Sequence, residues 1–329
     1  MRKIARMLGI FLCLVALLLA GLWLFGPYED ATLTPTPAAA NVGEDVDAHF
    51  AQAEAAYDDI TPGVEKRVDW IGEWGSKTEW SILYVHGFSA TSEEIRPVPD
   101  LLAAELGANL VYTRLTGHGR GSDAMADGSV QAWVDDLAEG LAAARQVGNR
   151  VLIMSTSTGA TLTAAVSGDA ELMQDVGGLI FVSPNFGVRN PLAKLLTWPA
   201  ARYWLPLVAG DRRSFTPHND AHGKYWTTEY PSVAVMPMGA LIKAAAQQDY
   251  GTRDLPALFW FSKDDGVVDA GITAQVASDW GGPVEVVNPV MGPNDDPLSH
   301  VIAGEIMSPD QTQPTVAGMA DWARGLDQP

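Results

Sequence analysis

Short, mainly apolar runs alternate with longer amphipathic segments along most of this chain, and this alternation is the strongest constraint on its fold. The first such run is Ser81–Val85 and the last is Val284–Val287. Between them, segments such as Val130–Arg145 have apolar residues at helical spacing. Apolar strands that alternate with helices form a parallel sheet covered by helices on both faces. We therefore predict an α/β fold over residues 45–329, with functional residues at the carboxyl ends of the strands.

The remaining elements follow from the same pattern. Thr91 and Glu94 have the spacing of a capping box, which predicts that a helix near Ser92–Leu106 begins there. A final helix is expected around Pro314–Leu326. Further strands are expected at Asn109–Thr113, Arg150–Met154, Leu179–Val182 and Ala257–Phe261. The rhythm breaks at about residues 185–250, which are rich in aromatic residues, methionine and proline, and we predict an insertion over the carboxyl edge of the sheet.

The amino terminus predicts a membrane segment at residues 1–28. Arg2, Lys3 and Arg6 precede an uncharged run from Met7 to Phe25, which as a helix would be about 28 Å long and match a hydrocarbon core. Bulky residues continue to the end of this run, which favours an uncleaved signal anchor over a cleaved signal peptide. The basic residues then place the amino terminus in the cytoplasm and the bulk of the chain outside, periplasmic or extracellular. Cleavage would instead give a secreted protein.

Residues 29–44 are rich in proline, threonine and alanine and predict a semi-extended linker. The net charge of −19 disfavours nucleic acid as a partner and favours a neutral substrate. Cys13 is the single cysteine, so no intrachain disulfide and no cysteine-based metal site can form. No histidine, cysteine or aspartate cluster has ligand spacing, so neither a metal nor a cofactor is predicted. The sequence does not indicate an oligomeric state.

Ser155-Thr156-Ser157-Thr158-Gly159 follows a predicted strand and opens a predicted helix. This is the setting of a Gly-x-Ser-x-Gly nucleophile elbow, with Ser155 in the place of the first glycine. The turn is so tight that only small residues fit two positions before and after the nucleophile. Ser157 is therefore the predicted nucleophile. Ser155 is the weaker alternative nucleophile, and a Ser/Thr-rich helix cap is the alternative without chemistry.

An elbow of this kind needs an oxyanion hole, a general base and a carboxylate. The backbone N–H groups of Phe88 and Thr158 are the predicted oxyanion donors. The carboxylate and then the base are expected downstream of Ser157, and His300 is the only histidine after Asp264 and Asp265. His300 is therefore the predicted base. Asp264 and Asp265 both follow the strand at 257–261, and the residues alone leave either as the carboxylate that orients the base.

Several motifs together resemble the α/β-hydrolases of the carboxylesterase and monoacylglycerol-lipase group, which also includes serine aminopeptidase-like members. The matching segments are Leu83–Thr91, Leu115–Gly119 with Trp133 and Asp136 after it, Ser155–Gly159, Ser262–Val268 and Ser299-His300. Residues from about Ile82 to the carboxyl end carry the resemblance. The missing first glycine of the elbow is its one clear departure. The acid loop of the group matches with Asp265 in the carboxylate position, so the resemblance favours Asp265 over Asp264.

The resemblance implies an α/β-hydrolase fold with a helical cap at about 185–250, inserted before the strand that bears the acid. It implies cleavage of carboxylic esters, with small neutral esters or lipids as substrates and an acyl-enzyme on Ser157. Alternatives on the same fold are a serine aminopeptidase and an acyltransferase, and an alternative of another class is a non-catalytic binding protein. Cap residues expected to line an acyl channel are Trp198, Trp204, Trp226 and Met236, unless they only pack the cap onto the core.

Overall fold

A central sheet of seven strands organises this protein, whose computed structural model describes residues 2–327. Position 1 of the predicted anchor and positions 328 and 329 of the predicted domain lie outside the described residues. The strands of the sheet are β1 (Arg67–Asp69), β2 (Thr78–Val85), β3 (Asn109–Tyr112), β4 (Gly148–Thr156), β5 (Val176–Val182), β8 (Ala257–Trp260) and β9 (Val284–Val287). A separate two-stranded sheet pairs β6 (Arg212–Ser214) with β7 (Glu229–Pro231).

The order across the large sheet is β1-β3-β2-β4-β5-β8-β9. Every neighbouring pair is parallel except β1 with β3, which is antiparallel. The predicted, mostly parallel sheet is therefore confirmed. Its carboxyl edge gathers the loops that follow β2, β4, β5, β8 and β9.

Helices cover both faces of this sheet, as predicted. The helices downstream of residue 45 are α2 (Val46–Glu54), α3 (Val98–Leu106), α4 (Val130–Val147), α5 (Ser157–Val166), α6 (Ala201–Ala209), α7 (Asp220–Tyr225), α8 (Val235–Ala245), α9 (Ala270–Asp279) and α10 (Thr312–Gly325), and all but α6 and α7 pack on the sheet. Side chains of α2, α4, α5, α8 and α9 form one core with the sheet, and those of α3 and α10 form the other. Alternate residues of β2 serve the two cores, with Leu83 and Val85 on one face and Ile82 and Tyr84 on the other.

The predicted start of the helix near Ser92 is wrong. Helix α3 begins at Val98, after Pro97, which has no N–H group to continue a helix from the preceding turn. The Glu94 carboxylate does not cap this helix, because it accepts a hydrogen bond from the Gly87 amide instead. By contrast, α4 begins with an ordinary cap, in which the Ser129 hydroxyl accepts a bond from the Ala132 amide at 3.1 Å.

The segment between β5 and β8 lies apart from the sheet and contains α6, α7, α8, β6, β7 and a 3-10 helix at Pro191–Thr197. A small core of its own includes Leu205, Tyr230 and Met236. Helix α8 joins this small core to the main one, because its Leu241 packs among the helices that cover the sheet. The bounds of 185–250 for the cap stay a prediction.

Helix α1 (Arg2–Phe25) precedes all of this and has almost its entire surface exposed. It is long and apolar enough to cross a membrane, by length and composition alone. The segment at 29–44 contains a turn at 37–40 and no helix or strand, and it is attached to the sheet's helical layer. The Thr36 amide donates to Asp135 of α4 at 2.7 Å, and Val42 is buried in the core. The division into anchor, linker and domain stays a prediction.

Candidate active site

Ser157 lies at a sharp turn between strand β4 and helix α5. Its φ angle is +49°, in the left-handed region that residues with a side chain seldom adopt. A Cβ on Gly159 would lie 2.4 Å from the carbonyl oxygen of His86, so only glycine fits there. Ser155 is fully buried, and its hydroxyl donates to the Ile180 carbonyl at 3.3 Å. A serine therefore takes the place of the first elbow glycine with its polar group satisfied.

His300 bridges Ser157 and Asp265, which come from distant parts of the chain. Its Nε2 lies 3.0 Å from the Ser157 Oγ, and its Nδ1 lies 2.7 Å from the Asp265 Oδ2. With the ring proton on Nδ1, the imidazole donates to Asp265 and accepts from the Ser157 hydroxyl. The structure thus brings the three predicted catalytic residues together in the arrangement that activates a serine.

The loop after β8 separates the two candidate carboxylates. Asp265 is buried, and its Oδ1 accepts hydrogen bonds from the amides of Val267 and Val268 at 2.8 and 2.9 Å. Its second oxygen is left for His300. Asp264 is exposed, and only its amide is engaged locally, with the Ser262 hydroxyl at 3.2 Å. Of the two, Asp265 alone meets the imidazole.

Asp296 holds the loop that carries His300, and the sequence reasoning missed it. Its Oδ2 accepts from the amides of His300 and Val301 at 3.0 and 2.9 Å, and its Oδ1 accepts from the Leu298 amide at 3.0 Å. The carboxylate fixes the backbone on both sides of the histidine. An aspartate followed by proline is a turn signal, so the run from Asp296 to His300 contained the hint.

The electrostatics of His300 are set by burial and by carboxylates. Burial alone would lower the pKa of the imidazole, but Asp265, Glu94 and Asp296 favour the charged form, and the net effect is a raised pKa. His300 can therefore take and hold a proton during a reaction. The buried Asp265 carboxylate then faces an imidazolium, which stabilises the charge that forms.

Glu94 is a second carboxyl group at this site that the sequence reasoning did not place there. It is buried, and its Oε2 accepts from the Gly87 amide at 2.7 Å and from the Tyr84 hydroxyl at 3.3 Å. A Cβ on Gly87 would meet both the Glu94 Oε1, at 2.7 Å, and the Cβ of Ser157, at 3.0 Å. The carboxyl group and the nucleophile therefore border the same small space.

The two predicted oxyanion donors come from the loop after β2 and from the first turn of α5. Among the described residues, the Phe88 amide has no backbone hydrogen-bond acceptor, and its loop is held by the bond from Gly87 to Glu94. Thr158 lies in the first turn of α5, where Thr156 supplies no side-chain cap. Both N–H groups are thus free to bind a developing oxyanion, and this role stays a prediction.

His86 shapes the oxyanion loop from inside the core. Its Nε2 accepts from the Leu115 amide at 3.1 Å, and its Nδ1 lies 2.9 Å from the Gly87 carbonyl oxygen. Burial lowers the pKa of His86 well below its ordinary value, so the ring is neutral. These contacts give His86 a structural part in the loop.

The four cap residues expected at an acyl channel lie at different places. Met236 is fully buried in the small core of the cap, and Trp226 packs edge-on against His222 with ring centres 4.7 Å apart. Trp204 donates to the Pro199 carbonyl at 3.1 Å and neighbours Trp198, which is nearly half exposed. Packing accounts for these contacts, and a role in substrate binding stays a prediction. Within residues 2–327, no three histidine, cysteine or acidic side chains are grouped so as to hold a metal ion.

A parallel sheet with a serine elbow after one strand, an acid loop after a later one and a histidine loop after the last defines the α/β-hydrolase class. The family model described as "Serine aminopeptidase, S33" matches residues 76–284. The chain belongs to this family, and the expected membership of the α/β-hydrolase superfamily is confirmed.

Lipases are among the proteins to which the chain is similar. The chain is 24% identical over 190 residues to a thermostable monoacylglycerol lipase from Bacillus sp. (strain H-257), which covers 58% of this chain and 72% of that one. It is similar in fold to a structure from a study of two metagenome-derived lipolytic enzymes, LipS and LipT, with a TM-score of 0.65, 17% identity, and coverage of 81% and 99%. A monoglyceride lipase from Saccharomyces cerevisiae gives a TM-score of 0.59 at 12% identity, with coverage of 82% and 97%. At these identities the structures establish the fold alone.

Proposed function

We propose that this protein is a membrane-anchored serine hydrolase that cleaves carboxylic esters through an acyl-enzyme on Ser157. The observation that carries the proposal is the double hydrogen bonding of His300, at 3.0 Å to the Ser157 Oγ and 2.7 Å to the Asp265 Oδ2. An imidazole that is largely shielded from water, between a serine and a carboxylate, can act as a general base.

The steps follow from these contacts. Ser157 Oγ attacks the acyl carbon while its proton passes to Nε2 of His300, and the carbonyl oxygen becomes an oxyanion facing the amides of Phe88 and Thr158. The C–O bond to the alcohol then breaks, and His300 returns the proton to the leaving oxygen. Water attacks the acyl-enzyme by the same route, which releases the carboxylic acid and frees Ser157. Each oxyanion donor lowers the barrier by about 3–4 kcal/mol.

A neutral lipid ester, such as a monoacylglycerol, is the substrate class that we propose. The names of the relatives from Bacillus and Saccharomyces support it. The net charge of −19 also disfavours an acidic substrate. We further propose that α1 anchors the protein and that the basic residues before it keep the amino terminus in the cytoplasm, so that the catalytic part lies outside.

The test compares Ser157→Ala with Ser155→Ala, since Ser155 is the rival nucleophile two residues away. With p-nitrophenyl butyrate as substrate, Ser157→Ala is expected to lose at least about a thousandfold in kcat at unchanged circular dichroism. Ser155→Ala is expected to keep most of its activity, because its hydroxyl only bonds to the Ile180 carbonyl. Full activity of Ser157→Ala would refute the proposal.

The same preparations separate the alternative activities. A p-nitroanilide of a small amino acid tests for aminopeptidase activity, and added glycerol tests for acyl transfer. Faster turnover of the anilide than of the ester would replace the esterase assignment by the aminopeptidase one.

A further inference from the structure

The outer surface of the cap carries a concentrated group of exposed apolar side chains. In α6, Leu207 is 85% exposed, Val208 73% and Tyr203 67%, and in the 3-10 helix before it Leu192 is 67% exposed. The side of α6 opposite Tyr203 and Leu207 is also apolar and buries Ala201 and Leu205 in the small core of the cap, while Val208 is exposed near the carboxyl end of the helix. Single exposed apolar residues are common on protein surfaces, but a cluster of them is not. We therefore expect the exposed apolar side of α6 to contact another apolar surface.

The charge of the cap differs in sign from that of the rest of the chain. Residues 185–250 contain seven lysine or arginine residues and four aspartate or glutamate residues, a net charge of +3. The whole chain carries −19, so everything outside this range carries −22. Along the chain, Lys194 precedes α6 and Arg213 follows it, and both side chains are exposed and form no ion pair with any described residue. Apolar residues flanked by basic ones are typical of a helix that lies in an anionic lipid interface.

The carboxyl end of α1 is attached to the start of α6. The Trp23 ring packs edge-on against Trp198 with ring centres 5.9 Å apart, and the Pro27 carbonyl accepts a bond from the Ala200 amide at 2.7 Å. Arg202 of α6 binds both carboxylate oxygens of Glu29, one of them at 2.9 Å. A helix that crosses a bilayer with Arg2 at one end emerges at Phe25. These contacts hold α6 beside that point.

We propose that the outer face of α6, together with Leu192 and Trp198, docks on the bilayer that α1 crosses. The inference rests on the proposed anchor and deepens it. The cap, and not the acidic remainder of the protein, then faces lipid. Only the small core of the cap separates this surface from the oxyanion loop, since Tyr230 of that core packs against Phe88 with ring centres 5.4 Å apart. The docking surface and the oxyanion loop therefore both border the small core of the cap.

The experiment uses the full chain in nanodiscs of zwitterionic lipid, with and without anionic phosphatidylglycerol. In a Cys13→Ser background, the fluorophore NBD is attached through Leu207→Cys or, as the control, Ile71→Cys. Ile71 is 45% exposed and follows β1, whose antiparallel direction puts it at the opposite edge of the sheet. We expect blue-shifted emission and quenching by doxyl-labelled lipid at position 207 only, strengthened by phosphatidylglycerol. Emission from position 207 that doxyl lipid does not quench overturns the proposal, whether water or another protein surface surrounds it.

A functional measurement complements the fluorescence. Leu207→Glu with Val208→Glu is expected to slow hydrolysis of monoolein in the bilayer by on the order of tenfold, or about 1.4 kcal/mol. Hydrolysis of p-nitrophenyl acetate from water should stay unchanged, as should both activities of Ile71→Glu. Equal loss on both substrates, or on neither, contradicts docking.

Carbonate extraction of the same samples separates the two proposals. Protein that resists carbonate while position 207 is unquenched refutes docking and leaves the anchor standing. Protein that carbonate releases refutes the anchor, and quenching at position 207 in that sample shows that the cap alone binds lipid.

Discussion

Glu94 borders the nucleophile, and changing it to glutamine tests how the site sets the proton affinity of His300. A glutamine oxygen can still accept the bonds from the Gly87 amide and the Tyr84 hydroxyl, at 2.7 and 3.3 Å in the native protein. The oxyanion loop is therefore expected to keep its shape. What the substitution removes is a negative charge near the imidazole.

The sign of the effect follows from the role of the imidazole. His300 accepts a proton from Ser157 only when it is neutral, so kcat/KM falls as pH falls through its pKa. Burial alone would lower this pKa, and Asp265, Glu94 and Asp296 raise it above the ordinary 6.5. Without the Glu94 charge the pKa of His300 is lower, and activity persists to lower pH.

The size of the change in the His300 pKa can be bounded from the interaction between the Glu94 carboxylate and the imidazolium. Two unit charges at an effective dielectric constant of about 20 interact by about 4 kcal/mol at 4 Å and about half of that at twice the distance. One pKa unit corresponds to about 1.4 kcal/mol. Burial raises the pKa of Glu94 to about 7, although the Gly87 amide and His300 lower it, so Glu94 is only partly ionised where His300 titrates. We expect the acid limb to move down by about 0.5–1 pH unit.

The assay is kcat/KM for p-nitrophenyl butyrate between pH 5 and pH 9. Glu93→Gln is the matched control, since Glu93 carries the same charge one residue away and binds Arg96 at 2.7 Å instead. Glu94→Ala removes the acceptor as well as the charge, and its kcat should fall below that of the glutamine variant. An acid limb in Glu94→Gln that coincides with the wild type would refute this account of His300.

Three further predictions concern the acid, the elbow and the core. Asp265→Asn should lower kcat by about 10³–10⁴ because the imidazole loses its orienting partner, while Asp264→Asn should leave kcat near the wild type; steady-state kinetics that reverse this order would reassign the acid. Gly159→Ala places a Cβ 2.4 Å from a backbone carbonyl oxygen, so urea unfolding should show a loss of about 1–3 kcal/mol or more, and unchanged stability would mean that the elbow is looser than described. Arg114 and Glu54 form a buried ion pair at 2.8 Å, and Arg114→Met leaves the Glu54 carboxylate without its partner. Urea unfolding of this variant should show that the free energy of unfolding falls by about 3–5 kcal/mol. An unchanged free energy of unfolding would mean that the ion pair does not stabilise the fold.

The central strands of the sheet could be predicted from the sequence because they are apolar on both faces. All residues of Ser81–Val85 are buried, so this run must lie where both faces of a strand are covered. In a fold of this size only the middle of a parallel sheet offers such a place. The elbow could be predicted because Gly159 is required by a clash that no other residue avoids. Order along the chain then left Asp264 or Asp265 as the acid and His300 as the base, and the family resemblance favoured Asp265. The structure brings Asp265 and His300 together.

Contacts between distant parts of the chain could not be predicted in the same way. The spacing of Thr91 and Glu94 fits a local helix cap, but the Glu94 carboxylate instead accepts a hydrogen bond from the Gly87 amide. The loop that carries Gly87 comes close to Glu94 only when the sheet has folded. The segment 29–44 has a linker's composition, yet Thr36 finds Asp135 nearly a hundred residues away. The attachment of Trp23 to Trp198 likewise depends on where the cap lies. No local pattern encodes such partners.

The central claim is that the hydroxyl at position 157, and no other serine, is the activated nucleophile. Intact-mass and peptide mass spectrometry after treatment with a fluorophosphonate test it directly. We predict a single adduct on the peptide that contains Ser157, formed slowly or not at all in His300→Ala. An adduct on Ser155 or elsewhere, or equal labelling of wild type and His300→Ala, would contradict the account.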